Sequence, residues 1–473
     1  MRRREFLSAA GVGVASAALP LGVSTDTAEA AELAAGRLTW VRARRADRIC
    51  DNYLINTKIF YANAVYKHTD AVMDLLEELG VRVIRERITT GSSAGTQNQL
   101  RAMPRLARRG IKWHGTVANL SDWPDAQRAN RQVMDFLATR YAPRMDGDLS
   151  ALMHSFGGCN EIEGPINNGQ VDPNWARHAR RMQRALWEQA KSNPRTRSIP
   201  IAGPSTRTDF TRKKAEELGD LSRWSDLGNA HLYNKGTSPS RGIDDHLKIL
   251  RPVFPGIKRY IFTETGYNNS PQDNRNRTVP EFASAIYAVR GIFDYFQRRS
   301  IYGRFELLDD PDRIDYSNQF TINRTADIQA HFGLVAMTEG SVKEATPDTW
   351  RKKPEFHAIK NLLRLLSDEG PRFDPKPLRM GLSGVGGDVR RLLLQKRDGR
   401  HYLVLWRDVQ VSELYPEATP IRVDPVRVSV RLGTARPIRV WSPSRSARPM
   451  RRESARTTFN VRLGKHLTIV EIG

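Results

Sequence analysis

Cysteine is nearly absent from this 473-residue chain, with Cys50 and Cys159 as its only two. This scarcity excludes a small scaffold held together by disulfides. We expect no bridge between the two, because the strands predicted below place them at opposite ends of strands that are not neighbours. Their Cα atoms would then lie beyond the ~4.4–6.8 Å that a disulfide requires.

Long apolar runs are also lacking, and after residue 30 none is long enough to span a bilayer. The amino terminus is basic over Met1 to Arg4, weakly hydrophobic as far as Leu21, and ends in an A-x-A site at residues 28–30. This pattern is typical of an export signal that is removed from the mature protein. The stretch Arg3-Arg4-Glu5-Phe6-Leu7 resembles the twin-arginine signal of bacteria. We therefore predict a signal over residues 1–30 and a secreted or cell-envelope protein.

Acidic residues are few relative to basic ones, 52 against 75, which gives a formal net charge of +23. The arginines are dispersed along the sequence and form no single stripe with interleaved aromatic residues, so we expect no nucleic-acid partner. The charge instead favours electrostatic association with anionic polymers of the cell envelope. An arginine-rich genome is an alternative source of the same composition.

Sequence motifs for metals and cofactors are missing as well. No H-E-x-x-H pattern and no metal-binding spacing of cysteine and histidine occurs. The glycines of residues 381–387 belong to a hairpin-like region and not to a strand-to-helix turn that could cradle phosphate. We expect neither a metal nor a cofactor.

What the chain does contain is a regular alternation of short apolar strands and amphipathic helices, which begins after a loose linker over residues 31–48. Helical periodicity is clear at Thr69 to Leu79, Trp175 to Ala190 and Pro354 to Ser367. Alternation of this kind implies parallel strands, and eight strand–helix units predict a (β/α)8 TIM barrel over residues 49–367. The predicted strands are 49–55, 82–87, 111–117, 151–157, 199–203, 228–233, 259–264 and 303–308.

From residue 370 the apolar pattern changes to a period of two. Short alternating segments without helices, separated by turn signals such as Asp398-Gly399, are typical of antiparallel sheets. The sequence thus predicts an α/β barrel followed by a small antiparallel β-sandwich over residues 370–473. The short passage between the two, Asp368 to Asp374, leaves the second domain little freedom and favours a sandwich that supports the barrel.

Two carboxylates end predicted strands of the barrel, Glu161 after strand four and Glu264 on strand seven. The carboxyl ends of barrel strands meet at one rim, where the active sites of such enzymes lie. Cleavage of a glycosidic bond needs two carboxyl groups, one to protonate the leaving oxygen and one to attack or stabilise the anomeric carbon. The pair therefore predicts a carbohydrate substrate.

The motifs around these residues resemble clan A of the retaining glycoside hydrolases, the barrel superfamily that includes β-xylosidase, endoglucanase and β-glucuronidase families. In that clan an Asn-Glu pair ends strand four and a second Glu ends strand seven, as Asn160-Glu161 and Glu264 do here. Further similarities lie in Leu79 to Arg85, in His231-Leu232-Tyr233, and in two late segments, His331 to Val335 and Lys353 to Ala358, which match the β-xylosidase-like branch.

The resemblance implies a retaining double displacement with Glu161 as acid/base and Glu264 as nucleophile. It implies that Asn160 binds the sugar 2-hydroxyl, that Arg85 and Tyr233 are partners of the nucleophile, and that His231 lines the sugar site. His114, on strand three, is a similar candidate, although buried histidines often only satisfy backbone groups. Glu163 would share a face with Glu161 only if the strand continued, and Gly164 and Pro165 indicate that it does not. Glu163 is therefore interpreted as a rim residue, a substrate contact at best.

Strand eight departs from the clan pattern, since Phe305-Glu306 stands where a tryptophan is usual. This departure leaves open a non-catalytic carbohydrate-binding barrel. A transglycosylase, which would use the same two glutamates, is the third alternative.

Overall fold

The computed structural model describes residues 33–62, 65–117, 125–164, 171–270, 278–309, 321–322, 331–337, 340–341 and 346–473. The predicted export signal lies outside the described residues. No helix in the described ranges combines the length and the apolar character needed to cross a membrane.

Eight parallel strands form a barrel, which confirms the predicted TIM-barrel fold. After two short strands, β1 (Thr39–Val41) and β2 (Arg44–Arg45), the barrel strands are β3 (Tyr53–Asn56), β4 (Val83–Arg87), β5 (Lys112–Thr116), β6 (Met153–Gly157), β7 (Ile201–Ala202), β8 (Gly228–Leu232), β9 (Tyr260–Thr265) and β10 (Ser300–Arg304). Hydrogen bonds join them in the order β7-β6-β5-β4-β3-β10-β9-β8, and parallel bridges from Ala202 to Leu227 and from Thr206 to Ala230 link the two ends.

Helices cover the outside of the barrel. The first of them buries Val72, Leu76 and Leu79 on one face and ends at Gly80, whose φ of 76° suits glycine. The helices are α1 (Thr69–Leu79), α2 (Ala94–Arg108), α3 (Ala126–Phe136), α4 (Leu149–Leu152), α5 (Trp175–Ser192), α6 (Arg212–Leu218), α7 (Ile243–Leu250), α8 (Glu281–Gln297) and α9 (Pro354–Leu366). Short 3-10 helices occupy Ala46–Asn52, Val65–Lys67, Ala142–Met145, Ser222–Trp224 and Pro347–Thr349, and a short π-helix occupies Leu137–Tyr141.

The barrel strands differ from the predicted ones mainly at the first and the last. The predicted first strand began at residue 49, but Ala46–Asn52 is a 3-10 helix. The eighth strand runs over Ser300–Arg304 and not over 303–308. The strand was placed too late in the sequence because Arg304 is not a residue type expected in a buried strand. Arg304 is nevertheless buried, and its guanidinium pairs with the buried carboxylate of Glu355.

The C-terminal region is an antiparallel sheet that curls over itself into two layers, as the predicted sandwich requires. Its strands are β15 (Leu378–Ser383), β16 (Val389–Gln395), β17 (His401–Arg407), β18 (Val426–Trp441), β19 (Arg451–Leu463) and β20 (Thr468–Ile472). The long strand β18 pairs with β15 along its first half and with β20 along its second half, while β19 follows its other edge. Both layers bury residues such as Leu382, Val430, Phe459 and Val470 in one apolar core.

Two small two-stranded sheets lie between the barrel strands and this region in the sequence. β11 (Thr321–Ile322) pairs with β13 (Gly340–Ser341), and β12 (Val335–Ala336) pairs with β14 (Arg351–Lys352).

The segment predicted as a linker over residues 31–48 is partly built into this C-terminal sheet. β1 pairs antiparallel with β15, and β2 pairs parallel with β16. The prediction is wrong for these two strands, because a three-residue strand and a two-residue strand carry too little pattern to be seen in the sequence.

The inner layer of the C-terminal domain packs directly on the barrel. Trp406 of β17 lies with its ring centroid 5.6 Å from that of Phe293 on α8, and its indole nitrogen donates to Asp294 Oδ1 at 3.0 Å. Arg290, fully buried on α8, donates to the carbonyl of Val409 at 2.8 Å. These contacts fix the domain on the barrel and fit a supporting role.

The two cysteines lie apart, each with a different neighbour. The Cys50 thiol donates to the Leu363 carbonyl at 3.5 Å, and the Cys159 sulfur lies 3.5 Å from the sulfur of Met182. Both are buried and unbridged.

Candidate active site

Two glutamates stand at the carboxyl ends of β6 and β9, on the same rim of the barrel. Glu264 is part of β9 itself, while Glu161 lies in the turn that follows β6. Glu161 has a φ of +47°, and its backbone is fixed by hydrogen bonds with the Ser205 carbonyl and the Gly164 N–H, both 2.9 Å long. A left-handed conformation is unusual for a non-glycine residue and is commonly found at functional sites.

The two carboxylates approach each other closely. One oxygen of Glu161, one oxygen of Glu264 and a ring nitrogen of His231 all lie within 4.8 Å of one another. Retaining glycosidases have carboxyl groups ~5–5.5 Å apart, whereas inverting enzymes need ~6.5–9.5 Å to admit a water molecule. A closest oxygen–oxygen approach within 4.8 Å favours the shorter of these two separations.

Glu264 is held in its ionised form by donors on both oxygens. Arg85 donates to Oε1 at 2.6 Å and the Tyr233 hydroxyl to Oε2 at 2.8 Å. Burial alone would raise the pKa of Glu264, but the positive charges of His231, when its ring is protonated, and of Arg85, with these hydrogen bonds, hold that pKa well below its usual range. Burial and the two carboxylates raise the pKa of Tyr233, so its hydroxyl stays a donor.

Arg85, which is buried on β4, is itself held from two sides. Its NH1 donates to Asn56 Oδ1 at 2.7 Å, and its NH2 donates to Asn160 Oδ1. The Asn56 amide is oriented by its own donation to the carbonyls of Thr263 and Arg304. Asn56 ends β3, and the sequence interpretation missed it because a lone asparagine after an apolar strand carries no motif.

Asn160 stands beside Glu161 with its side chain exposed at the rim. Its oxygen accepts from Arg85 and from the Ser205 hydroxyl, the latter at 3.1 Å. Because both partners take the oxygen, the amide nitrogen is directed away from them and is free to donate to a bound ligand.

His231 is fully buried and contacts Glu161 more closely than Glu264. Its Nδ1 lies 2.7 Å from Glu161 Oε1 and 3.4 Å from Glu264 Oε2. It was predicted to line the sugar site, but full burial places the ring behind the carboxylates instead of at the surface of the cavity.

A chain of hydrogen bonds behind His231 fixes its tautomer. Asn229 Nδ2 donates to the Gly203 carbonyl at 3.0 Å, which leaves Asn229 Oδ1 to accept from the Thr263 hydroxyl at 2.9 Å. The Thr263 oxygen, 3.1 Å from His231 Nε2, must then accept from it. In the neutral ring Nδ1 is therefore an acceptor, aimed at the carboxyl group of Glu161.

Arg207, in the loop after β7, adds a positive charge on the other side of Glu161. Its NH1 lies 3.5 Å from Glu161 Oε2, and its Nε donates to Asp209 at 3.0 Å. Its backbone N–H donates to Glu163 Oε1, which is 2.5 Å away. Glu163 is almost fully buried, so its interpretation as a rim residue is wrong: it anchors this loop.

His114 was predicted as a second histidine of the sugar site, and the structure places it beneath the site. The ring is fully buried and its Nδ1 lies 2.7 Å from the Ser155 hydroxyl. Burial, with the charge of Arg85, lowers the pKa of His114 well below its usual value, so the ring is neutral. It packs under Arg85 and is not exposed to a ligand.

Aromatic rings extend the site toward strand eight. Tyr233 packs edge-on against Phe332, and Phe332 against Phe305, with ring centroids 5.6 Å apart in both pairs. Phe305 follows β10 directly and is partly exposed. An aromatic residue is thus present where the sequence lacked the usual tryptophan.

The same atoms of Glu161, His231 and Glu264 are close enough together to hold a small cation. The guanidinium of Arg85, bonded to Glu264 at 2.6 Å, already neutralises that carboxylate and would repel a metal ion beside it. Ion pairing and hydrogen bonding account for the cluster, and the absence of a metal stays a prediction.

Known proteins share this architecture but not its sequence. No family model and no curated protein sequence matches the chain. The GH51 arabinofuranosidase from Xanthomonas axonopodis pv. citri superposes with a TM-score of 0.52 at 13% identity, over 85% of this chain and 89% of that one. A glucosidase from Croceicoccus marinus superposes with a TM-score of 0.52 at 10% identity, over 93% of this chain and 97% of that one.

The chain has the fold of these glycoside hydrolases. Both superpositions cover more than the barrel, so the C-terminal domain takes part in the similarity. The fold that the resemblance to clan A implies is thereby confirmed.

Proposed function

We propose that the protein is a retaining glycoside hydrolase with Glu264 as nucleophile and Glu161 as acid/base. The observation that carries this proposal is the juxtaposition of the two carboxylates within 4.8 Å, one of them ionised by Arg85 and Tyr233. The other lies within hydrogen-bond distance of His231 Nδ1, 2.7 Å from Glu161 Oε1.

In the first step, a carboxylate oxygen of Glu264 forms a bond to the anomeric carbon. The bond from that carbon to the leaving oxygen breaks, and Glu161 transfers its proton to this oxygen. Asn160, whose amide nitrogen is free, is positioned to donate to a sugar hydroxyl beside the reacting carbon and to strengthen that bond as charge develops.

In the second step, water replaces the leaving group. Glu161 now takes a proton from the water, the water oxygen bonds to the anomeric carbon, and the ester bond to Glu264 breaks. Two displacements restore the starting configuration. His231 Nδ1 favours this proton transfer, because it can accept a hydrogen bond from the protonated carboxyl group of Glu161. Glu161 is then neutral when Glu264 is released as an anion.

The first test follows the stereochemistry by NMR. An oligosaccharide that the protein cleaves should release a sugar with retained anomeric configuration. A first product of inverted configuration would contradict the double displacement. The oligosaccharide for this test is chosen beforehand by screening neutral and acidic polysaccharides for cleavage.

The second test distinguishes Glu161 from its neighbour. Glu161→Gln should slow cleavage of natural linkages by about 10²–10⁴-fold, because a poor leaving group needs a proton, and should spare cleavage of an activated phenol glycoside. Glu163→Gln is the matched control and should show no such dependence on the leaving group. The same phenotype in Glu163→Gln would remove the assignment.

Two alternatives give different outcomes in these assays. A non-catalytic carbohydrate-binding barrel would bind glycans without turnover and would not react with a cyclophellitol-type probe, which labels only a live nucleophile. A transglycosylase would give longer products from a single oligosaccharide. The retained partners of Glu264 favour catalysis over mere binding.

Export by the twin-arginine route is also part of the proposal. It is supported by Arg3-Arg4-Glu5-Phe6-Leu7 and the A-x-A site at residues 28–30. Replacement of both Arg3 and Arg4 by lysine should abolish export while keeping the charge. Equal export of the lysine variant would leave only a general secretion signal.

A further inference from the structure

Four arginines from three strands of the C-terminal domain lie on one face of its sheet. Residues 370–473 contain 21 basic and nine acidic residues, a surplus of 12 that is about half of the net charge of +23. The strands β1, β15, β18 and β19 form the outer layer, and Glu453 is their single acidic residue.

The pleat sorts the side chains of this outer layer. Val428, Val430 and Leu432 of β18 point into the apolar core, so the arginines at 427 and 431, between them, point outward. The same alternation on β19, where Val461 and Leu463 are buried, directs the residue at 462 outward. The arginine face is defined as the exposed Arg379, Arg427, Arg431 and Arg462.

The register places these charges unfavourably close. Arg427 and Arg462 are direct cross-strand partners. Like charges opposite each other in a sheet destabilise it, so this arrangement costs stability in the free protein. Arg379 lies along the outer side of β18, with its aliphatic stem over Gly433, where any Cβ would be only 3.2 Å from it.

No acidic partner offsets the arginine face among the described residues. Arginines elsewhere in the same domain are paired, such as Arg407 with Asp388 at 2.6 Å and Arg439 with Glu471 at 3.2 Å. The four of the arginine face make no ion pair or side-chain hydrogen bond within the described ranges. Their guanidinium groups are available to an external anion.

We propose that the arginine face binds a linear anionic polysaccharide and holds it against the C-terminal domain. Arg427 and Arg431 are four residues apart on one strand, about 13 Å, and the four strands span roughly 14 Å across. A surface of this size matches a polymer with a carboxylate or sulfate on successive units, whereas a single small anion would engage one or two arginines.

An exposed tryptophan borders the arginine face. Trp40 of β1 is the cross-strand partner of Arg379 and is 63% exposed. An indole ring beside a guanidinium offers an apolar platform for a sugar ring whose charged substituent reaches the arginine. A lone tryptophan does not supply the successive stacking positions that single-stranded nucleic acids use. The choice of a glycan also rests on the function proposed for the barrel.

The experiment measures binding of the full chain to polygalacturonate in the Glu264→Gln background, so that turnover is irrelevant. In the face variant, Arg379, Arg427, Arg431 and Arg462 are all replaced by glutamine. The matched control replaces four exposed barrel arginines, Arg101, Arg131, Arg177 and Arg181, with the same loss of charge. Affinity is measured at several salt concentrations, with neutral dextran and single-stranded DNA as comparison ligands.

We expect binding that weakens with salt, and an affinity loss of about ten-fold or more in the face variant but not in the control. The melting temperature of the face variant should be unchanged or higher, because repulsion between Arg427 and Arg462 is relieved. Equal losses in both variants, or wild-type affinity no greater for polygalacturonate than for dextran, would overturn the proposal. Stronger binding to DNA than to polygalacturonate would also overturn it.

This result is separable from the active site. A protein without glycosidase activity that still binds polygalacturonate through the arginine face would refute the function proposed for the barrel alone. The opposite outcome would refute this inference alone. In that case the wild-type protein and the same protein with the four arginine substitutions would cleave a small chromogenic glycoside equally, and neither would bind a polyanion.

Discussion

Two carboxylates in the same barrel, the part-buried Glu264 and the buried Asp294, show how partners decide the state of a charge. Glu264 at the mouth receives hydrogen bonds from Arg85 and Tyr233, and its pKa lies well below the usual range. Asp294, where α8 meets the C-terminal domain, receives a hydrogen bond from the neutral indole of Trp406. Burial, with the charge of Asp408, raises the pKa of Asp294 to about 7.

The difference separates a reactive site from a packing site. At the mouth, charge is compensated so that an anion persists where chemistry needs one. At the interface, a carboxyl group is tolerated because it can remain protonated beside Trp406. The same amide substitution should therefore have opposite consequences at the two places.

The largest effect is expected from Glu264→Gln. The amide cannot attack the anomeric carbon, so kcat/KM should fall by at least ~10³-fold on every substrate, including activated ones. It also leaves Arg85 buried without its counter-ion, which should lower the free energy of unfolding by about 1–3 kcal/mol. Retained turnover of an activated phenol glycoside would contradict the nucleophile assignment.

Tyr233→Phe should have the next largest effect, with kcat/KM reduced by about 10–100-fold through loss of a hydrogen bond to a charged group. Because that bond helps to lower the pKa of Glu264, its removal should move the acidic limb of the pH profile of kcat/KM to higher pH. Tyr267→Phe is the control, since the Tyr267 hydroxyl donates to the Thr237 carbonyl. An acidic limb that stays in place would separate Tyr233 from the nucleophile.

Asp294→Asn should stabilise the protein at neutral pH by about 1–2 kcal/mol. This is less than the free energy that corresponds to the whole rise in the pKa of Asp294. A carboxyl whose pKa is raised in the folded state binds its proton there but loses it in the unfolded chain, so wild-type stability declines as pH rises from about 4 to about 7. The variant retains an acceptor for Trp406 and should lack this decline. Urea unfolding at pH 5 and at pH 8 measures the difference, and parallel curves for both proteins would refute the protonated state.

Thr263→Val should have the smallest effect, about 1 kcal/mol or a few-fold in kcat. It removes the acceptor for His231 Nε2 while preserving side-chain shape. The loss should be greater for substrates with poor leaving groups, which need the proton of Glu161. Thr265→Val on the same strand, whose hydroxyl bonds the Gly303 carbonyl, is the control. Equal effects of both variants would make the role of Thr263 merely structural.

The barrel was predictable because the periodicity of apolar residues and the ends of the strands can be recognised in a single sequence. Each predicted strand overlaps an observed one, and Glu161 and Glu264 meet at one rim since parallel strands leave their carboxyl ends together. The partners Arg85 and Tyr233 also lie where strand ends indicate. Their catalytic roles stay predictions.

Other features depend on contacts between residues far apart in the sequence, which no local pattern encodes. Asn56 and Thr263 become site residues only through the hydrogen bonds that orient Arg85 and His231. Glu163 looked exposed because a glycine follows it, yet a loop from β7 covers it. The arginine face likewise exists only once the register of β18 and β19 is known.

The pairing of β1 and β2 with the C-terminal sheet has a consequence for the order of folding. A ribosome makes these two strands before any barrel strand and makes their partners, β15 and β16, only after the barrel is complete. β1 and β2, the edge strands of the sheet, can therefore pair only once the last quarter of the chain is being synthesised. Closure of this long-range loop joins the segment before the barrel to the sheet after it, so a chain that stops before β15 leaves the edges of β1 and β2 unpaired.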